Sequence, residues 1–279
     1  MTKKKTWLFF SVIALFALSS ACSIIERSKA KRDKFTLATW NIGHYSNGVK
    51  PYTLIDITND SQILNRYNEF LYQTIAPDVI AINEYSREYY MDKEGAYHLS
   101  SEELFGGFRW KIEGPQEWGI CNALFSNIRV KNKLEEEKHF AYSQSQKELT
   151  TDTRVSGREN YYLESEIIWR GKTIKIVCVH LLFSRKARYI YQQAHIKEII
   201  KKYSKYKRVV ILGDWNTDDY SLLKEAGFTL ANNGEFVTFP SKQTPLDNIA
   251  VKGLRISDVK AIQTDLSDHY PLVCQISLE

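Results

Sequence analysis

The chain has 279 residues, of which 43% are hydrophobic, 25% charged and 13% aromatic. This composition excludes a disordered chain, a collagen-like chain and a small disulfide-rich protein, and it is typical of a folded globular protein. The formal net charge is +5, and removal of residues 1–21, which contain three lysines and no acidic residue, would lower it to +2. So weak a positive charge permits a polyanionic substrate but does not demand non-specific binding of duplex nucleic acid.

The amino-terminal segment predicts export from the cytoplasm. Three lysines precede a continuous apolar run at residues 7–18, and small residues then lead to Cys22. This is the order of parts in a secretory signal peptide, which we place at residues 1–21. The run is too short for a membrane-spanning helix, which needs ~20 apolar residues.

The sequence before Cys22 resembles the lipobox of bacterial lipoproteins, in which this cysteine carries the lipid. The pattern departs from the usual one because Ser19 stands where leucine is expected and Leu18 lies one position too early. An ordinary signal peptide cleaved nearby and an uncleaved anchor remain alternatives. The resemblance implies a lipid anchor and basic tether at residues 22–34 in the bacterial cell envelope. No aspartate follows Cys22, so an outer-membrane or surface location is favoured over the inner membrane; without lipidation the protein would be secreted.

Residues 35–279 are predicted to form one domain, since they contain no Pro/Gly/Ser-rich linker, repeat or low-complexity tract. Cys178 and Cys274 fall in apolar runs typical of core strands, and no cysteine has zinc-site spacing. His195 is expected on the solvated side of its helix. The predicted elements are, in chain order, strand 35–41, helix 60–76, strand 78–84, strand 172–180, helix 185–203, strand 208–216, helix 221–226 and strand 271–278.

Polar residues recur where the apolar strands end, and strand ends in layered sheets converge on one edge. Six short motifs in this order resemble the endonuclease/exonuclease/phosphatase superfamily, which has the DNase I-like fold. The resemblance covers residues 35–279 and implies an α/β protein, a four-layer α/β/β/α sandwich of two packed mixed sheets. The motifs are Trp40-Asn41, Asn83-Glu84, Val179-His180-Leu181, Gly213-Asp214-Trp215-Asn216, Leu246-Asp247-Asn248 and Ser267-Asp268-His269.

The oxygen donors among these residues suit a hard divalent cation. Carboxylate and amide oxygens are the ligands preferred by Mg²⁺, with Mn²⁺ or Ca²⁺ also possible, and Mg²⁺ needs only one or two carboxylates. The resemblance implies Glu84 as the principal ligand, with Asp268 and Asn41 completing the protein's share of the site.

The remaining motif residues imply hydrolysis of a phosphoester by in-line attack of water. An imidazole can accept a proton from water near neutral pH, and the resemblance assigns this role to His269, oriented by Asp247. It further implies that Asp214 binds the attacking water, and that Asn216 and His180 donate hydrogen bonds to phosphoryl oxygens.

Structural alternatives exist for each residue and for the whole site. Glu84 could merely pair with an arginine, His180 could be a core histidine, and the other motifs could be turns. A second hypothesis is a catalytically inactive binding or surface lipoprotein on the same scaffold. Intact motif residues favour the enzyme.

The expected partners are a phosphoester substrate and, through the lipid anchor, a membrane; the chain is expected to be a monomer. Export argues against chromosomal repair and deadenylation, which leaves nucleic acid, phospholipid headgroups, nucleotides and inositol phosphates as substrate classes. Asn122 stands where it could support the site. The aromatic segment from Tyr85 to Tyr97 could stack on a base or a sugar, although packing within a long loop is the preferred interpretation.

Overall fold

Two six-stranded sheets form the framework of the protein, for which a computed structural model describes residues 32–43, 61–85, 104–114, 121–131, 139–141, 161–181 and 189–279. The helical segments are α1 (Ser61–Glu69), a π-helical turn (Phe70–Ile75), α2 (Tyr189–Tyr203) and α3 (Ser221–Glu225). The strands are β1 (Lys34–Asn41), β2 (Val79–Tyr85), β3 (Trp110–Glu113), β4 (Cys121–Ser126), β5 (His139–Ala141), β6 (Tyr161–Trp169), β7 (Lys172–His180), β8 (Val209–Asp214), β9 (Thr229–Leu230), β10 (Asp247–Lys252), β11 (Leu254–Ala261) and β12 (Leu272–Leu278).

Each sheet contains one parallel pair at its centre. The strand orders are β11-β12-β1-β2-β4-β3 and β5-β6-β7-β8-β10-β9. The pairs β1–β2 and β7–β8 are parallel, whereas β2–β4, β6–β7, β8–β10 and β11–β12 are antiparallel. Both sheets are therefore mixed, as predicted.

Three hydrophobic clusters separate four layers. Leu37 and Val79 of the first sheet share one cluster with Ile176 and Val210 of the second, so this cluster lies between the sheets. The outer face of the first sheet packs against α1 and the π-helical turn, and that of the second sheet packs against α2 and α3. The central strands are continuous β-branched runs because both of their faces are buried. The predicted four-layer sandwich is confirmed, and Phe35–Glu279 form one compact unit.

Helix α2 is held to the second sheet by a buried charge cluster. Glu164 on β6 accepts a hydrogen bond from Tyr203 and pairs with Lys202 Nζ at 2.6 Å, both on α2, and with Lys175 Nζ on β7 at 2.7 Å. Burial alone would raise the pKa of Glu164, but these partners hold it below its usual value. The carboxylate therefore stays ionised and links three elements.

The predicted helices and strands occur in the structure within four residues of their expected bounds, whereas β3, β4, β5, β6, β9, β10 and β11 were not predicted. Helix 60–76 changes to π-helical turns at Phe70 and ends at Ala76 with a φ of 45°, before Pro77. The expectation that His195 lies on the solvated side of its helix is wrong. This residue of α2 is fully buried, and burial lowers its pKa to about 4. Charged residues occur on several sides of α2, so its buried face cannot be recognised from the sequence pattern. Cys178 and Cys274 lie in the core.

Several sequence predictions fall outside the described residues. They concern the signal peptide, Cys22, most of the tether, and Tyr89, Tyr90 and Tyr97 of the aromatic segment. Tyr85 itself is buried and packs edge-on against Phe105 and Phe125. None of the helices in the described ranges is long and apolar enough to span a membrane.

The close approach of β7 and β8 depends on a glycine. Gly213 lies opposite Val179, has a φ of 143°, and a Cβ atom there would be 1.9 Å from the Val179 carbonyl oxygen. Because that obstacle is backbone in the sheet centre, we expect Gly213→Ala to lower the free energy of unfolding by about 3 kcal/mol or more.

Gly171→Ala is the matched control for this prediction. Its φ is 74° but nothing lies within 4 Å of the added methyl group, so only the backbone penalty of about 1 kcal/mol is expected. Urea unfolding of both variants measures the difference. Equal losses would show that the contact with Val179 does not constrain the sheet.

Candidate active site

Four polar residues end the two parallel strand pairs at the same edge of the sandwich. Asn41 ends β1 and Glu84 lies next to the end of β2, while His180 and Asp214 end β7 and β8 in register. The Asn41 Nδ2 atom donates to Asp214 Oδ2 at 3.0 Å and thus joins the first sheet to the second. This edge brings together predicted residues that are up to 173 positions apart in the sequence.

Asp247 and His269 complete the cluster from two further elements. Asp247 is the first residue of β10 and lies opposite Asp214, and His269 precedes β12. The His269 Nδ1 and Asp247 Oδ2 atoms are 2.7 Å apart, in a pair whose side chains are 7% and 0% exposed. The Phe239 ring lies 4.7 Å from the imidazole, centre to centre. The pair is thus shielded from water and fixed in orientation.

Asp214 lies at the centre of the cluster, with a side chain only 2% exposed. Its Oδ1 atom accepts a hydrogen bond from the Asn216 backbone at 2.8 Å. Its Oδ2 atom lies 3.7 Å from His180 Nε2 and 3.9 Å from His269 Nε2. Burial, followed by the charge of Asp247, raises the pKa of Asp214, while the two imidazoles oppose the shift.

Glu84 and Asp268 form the more accessible, acidic side of the site. Glu84 is 29% exposed, and its Oε1 atom lies 3.8 Å from His180 Nε2. Asp268 is partly buried, and both burial and the charge of Glu84 raise its pKa. Two partly accessible carboxylates that repel one another provide hard oxygen donors, which suits a divalent cation.

The side-chain nitrogen of Asn41 faces the carboxylates of Glu84 and Asp214. Its Nδ2 atom lies 3.3 Å from Glu84 Oε1, and its Oδ1 atom accepts a hydrogen bond from Gly43 at 2.9 Å. In this orientation Asn41 positions Glu84 and Asp214. Coordination of a cation through its oxygen would require the amide to turn over, so its role as a ligand stays a prediction.

A second set of potential metal ligands lies deeper. Asp214, Asp247 and His269 each offer an atom within 4.8 Å of the others, and all three side chains are buried. The hydrogen bond between His269 Nδ1 and Asp247 suits either a base or a metal ligand, but hard cations such as Mg²⁺ and Ca²⁺ take oxygen ligands rather than imidazole nitrogen. We therefore favour Glu84 and Asp268 for the cation.

The neighbouring carboxylates change the pKa of His269. Burial alone would lower the pKa of this imidazole, but the charges of Asp247, Asp214 and Asp268 raise it to about 10. Without further positive charge in the site, the imidazolium form is favoured at neutral pH. Acceptance of a proton at Nε2 therefore requires that the negative field around His269 be reduced.

Asn216 and His180 contact different carboxylate oxygens of Asp214. Asn216 has a φ of 50° and its Nδ2 atom donates to the Leu181 carbonyl at 2.8 Å. An amide nitrogen carries two hydrogens, so this bond orients the group without exhausting its donors. The His180 side chain is 24% exposed, in contrast to a satisfied core histidine.

Four buried residues that support the site were not assigned roles from the sequence. Asn83 accepts a hydrogen bond from Asp214 N at 2.8 Å and donates to Val179 O at 2.9 Å and Asn122 Oδ1 at 2.7 Å, so it spans both sheets. The others are Ser267, whose Oγ accepts from His269 N, Thr238, whose Oγ1 accepts from Asp247 N, and Gln192, which donates to Asn216 O.

Sequence signals exist for only part of this supporting set. Asn83 and Ser267 are polar residues inside the recognised motifs, and each lies beside an assigned residue. Thr238 is in an irregular loop and Gln192 is one of many polar residues of α2, so no periodicity distinguishes them. Asn122 contacts Asn83, which agrees with a supporting position.

Known proteins match this chain over part of its sequence and over most of its structure. No protein-family model matches the chain. A UPF0294 protein of Vibrio vulnificus strain CMCP6 is 30% identical over 132 residues, which are 44% of this chain and 45% of that protein. The chain thus spans less than half the length of the curated relatives that it matches.

Solved structures match over most of the chain. An endonuclease/exonuclease/phosphatase from Beutenbergia cavernae DSM 12333 has a TM-score of 0.64 at 15% identity, covering 88% of this chain and 72% of that one. One from Bacteroides vulgatus has a TM-score of 0.60 at 18% identity, covering 89% and 100%. D. rerio TDP2, complexed with single strand DNA product, has a TM-score of 0.60 at 13% identity, covering 88% and 100%. The chain therefore has the α/β sandwich fold of the endonuclease/exonuclease/phosphatase, DNase I-like, proteins.

Proposed function

We propose that this protein is a divalent-metal-dependent phosphoesterase that hydrolyses a phosphodiester or phosphomonoester by in-line attack of water. The observation that carries the proposal is the buried pair of His269 and Asp247, with Nδ1 at 2.7 Å from the carboxylate and Nε2 facing Asp214. A histidine whose inner nitrogen is bound by a carboxylate presents its outer nitrogen to a substrate in one fixed tautomer.

The roles of the chain's own residues follow from their positions. The Nε2 atom of His269 takes the proton of the attacking water, while Asp247 stabilises the imidazolium that results. Asp214 Oδ2 lies 3.9 Å from Nε2 and orients the same water. No covalent enzyme intermediate is needed, so the site requires no serine or cysteine nucleophile.

Hydrogen-bond donors flank the place where phosphoryl charge develops. Asn216 uses its second amide hydrogen, and His180 its Nε2 atom, to donate to non-bridging oxygens of the substrate. Such donors are worth most when they are fixed before the reaction, as Asn216 is by Leu181 and Gln192. Loss of one fixed donor typically costs ~10²–10³ in rate.

Glu84 and Asp268 would hold the cation, with Mg²⁺ the ion that best suits two oxygen donors and Mn²⁺ or Ca²⁺ as alternatives. When bound, the ion supplies a Lewis acid for the phosphoryl group and positive charge that offsets the carboxylates around His269. Glu84 is kept in place by Asn41, and Asp268 by the turn that begins at Ser267.

Nucleic acid is one substrate class that this site could accept, and the D. rerio TDP2 complex with single strand DNA product supports it by likeness of fold. The shared fold does not rank it above nucleotides, inositol phosphates or phospholipid headgroups. A panel of these substrates with Mg²⁺ and Mn²⁺ is the measurement that separates them.

The full-length protein should hydrolyse a generic phosphodiester only when a divalent cation is present. We expect EDTA to abolish turnover and Mg²⁺ or Mn²⁺ to restore it. His269→Ala should lower kcat by ~10²–10⁴ because the general base is lost, and Asp247→Asn should have a similar effect through the wrong tautomer.

Asp265→Asn is the matched control, because this carboxylate is 76% exposed in a surface pair with Arg66. It should retain the activity of the unaltered protein. Turnover that resists EDTA, or that His269→Ala keeps in full, would contradict the mechanism. Absence of turnover by the unaltered protein with every substrate of the panel would instead favour a binding protein on the same scaffold.

We also propose that the protein acts in the bacterial cell envelope, anchored by lipid on Cys22. A thioether-linked lipid moves the chain to the membrane fraction, so Cys22→Ser should shift the protein to the soluble fraction or leave an unprocessed precursor. Ser23→Ala is the neighbouring control and should fractionate as the unaltered protein does. Equal membrane association of the Cys22→Ser variant at mature size would exclude the lipid anchor.

A further inference from the structure

The end of the sandwich opposite the candidate active site carries a set of exposed basic side chains. Asn41, His180 and Asp214 mark the carboxyl ends of β1, β7 and β8, and the basic residues surround the other ends of these sheets. We call this set the basic rim, and it comprises Arg129, Arg170, Lys172, Lys205, Lys207 and Arg255, all exposed.

Backbone contacts join several of the segments that carry the basic rim. Arg170 and Lys172 belong to the turn between β6 and β7, and Ile168 donates to the Arg129 carbonyl at 2.8 Å. A Cβ atom on Gly253, in the turn before Arg255, would lie 1.9 Å from the Lys207 carbonyl. Backbone segments of both sheets that carry basic residues thus meet at this end.

Among the described residues at this end, acidic side chains are fewer than basic ones. Glu166 is already paired with Lys131 at 2.9 Å, and Asp78 accepts a hydrogen bond from Thr36 N at 2.9 Å. Asp33, exposed directly before β1, and Glu279, directly after β12, add two carboxylate side chains. At the other end of the sheets stand Glu84, Asp214, Asp247 and Asp268. The acidic cluster of the candidate active site and the basic rim therefore lie at opposite ends of the strands.

The position of the basic rim argues against a role in holding substrate. Lys172 and His180 begin and end the nine-residue β7, so the rim lies about 26 Å from the site at ~3.3 Å per residue. A nucleic acid in the site would have to pass along the whole sandwich to reach it. A flat anionic surface, by contrast, attracts exposed basic side chains at one end of a domain without reaching the site at the other end.

The chain also enters the domain at this end. β1 begins at Lys34 and runs parallel to β2 toward the site, so its first residue lies at the rim end of the first sheet. The sequence before it is strongly basic, with Arg27, Lys29, Lys31 and Arg32. Basic segments beside a membrane attachment point bind anionic phospholipid headgroups.

We propose that the basic rim docks onto an anionic phospholipid bilayer and holds the candidate active site away from it, toward the aqueous phase. The rim supplies orientation through electrostatic attraction, independently of any lipid anchor. A consequence, which rests on the proposed function, is that the substrate is a water-soluble phosphoester and not a headgroup of the bilayer that carries the protein.

Lysine footprinting of the full-length protein on vesicles tests the docking without an activity assay. The protein is bound to vesicles of phosphatidylcholine alone or with phosphatidylglycerol, labelled with an amine-reactive reagent and analysed by mass spectrometry. Lys172, Lys205 and Lys207 should label several-fold more slowly on the anionic vesicles than on the neutral ones. Protection should disappear at about 1 M salt, where the Debye length falls to ~3 Å.

Lys242 and Lys260 are internal controls, since both are exposed and belong to the half of the fold that carries the site. Their labelling should be equal on both kinds of vesicle. The double variant Lys205→Glu, Lys207→Glu should restore labelling of Lys172 and weaken partition to anionic vesicles by about five-fold for each lysine removed.

Three results would overturn the proposal. Equal labelling of the rim lysines on neutral and anionic vesicles would show that no docking occurs, and protection of Lys242 and Lys260 instead would show that the site faces the bilayer. Protection of the rim by a single-stranded oligonucleotide but not by anionic vesicles would assign it to nucleic acid. Protection of the rim lysines together with no hydrolysis of phosphodiesters would refute the proposed function and leave the docking proposal in place.

Discussion

The structure depends on the burial of one acidic side chain, Asp214, where two sheets that pack mainly through apolar side chains meet at their strand ends. A carboxylate that is 2% exposed is costly unless polar groups surround it. Those groups come from both sheets, with Asn41 donating to its side chain and Asn83 accepting from its backbone, so the sheets must meet with their strand ends in register. The constraint that keeps Asp214 stable also brings the candidate catalytic residues together.

The same arrangement explains why the site divides into a buried half and an accessible half. Asp214, Asp247 and His269 lie deep and hold one another in fixed orientations, which suits groups that position and move a proton. Glu84 and His180 are more exposed, and Asp268 is partly so, which suits groups that meet a cation and a phosphoryl group. The raised pKa of His269 links the halves, because the charge of Asp268 in the accessible half contributes to it together with those of Asp247 and Asp214 in the buried half.

Much of this architecture was predictable because the central strands are continuous apolar segments of the sequence. The buried strands ending in Asn41, Glu84, His180 and Asp214 are continuous β-branched segments, and their polar ends stand out. Strand β11 was missed because its alternating exposed charges resemble a surface loop, and β6 because Glu164 and Glu166 interrupt its apolar pattern. The burial of His195 and the support from Thr238 depend on contacts between distant segments, which no local pattern records.

The central claim is that Glu84 and Asp268 bind the cation while His269 stays paired with Asp247. Anomalous diffraction from crystals containing Mn²⁺ tests it most directly. The account predicts one peak about 2.1 Å from carboxylate oxygens of Glu84 and Asp268, with the hydrogen bond between His269 and Asp247 intact. A peak bound by Asp214, Asp247 and His269 would contradict it, because the residue assigned as base would then be a metal ligand.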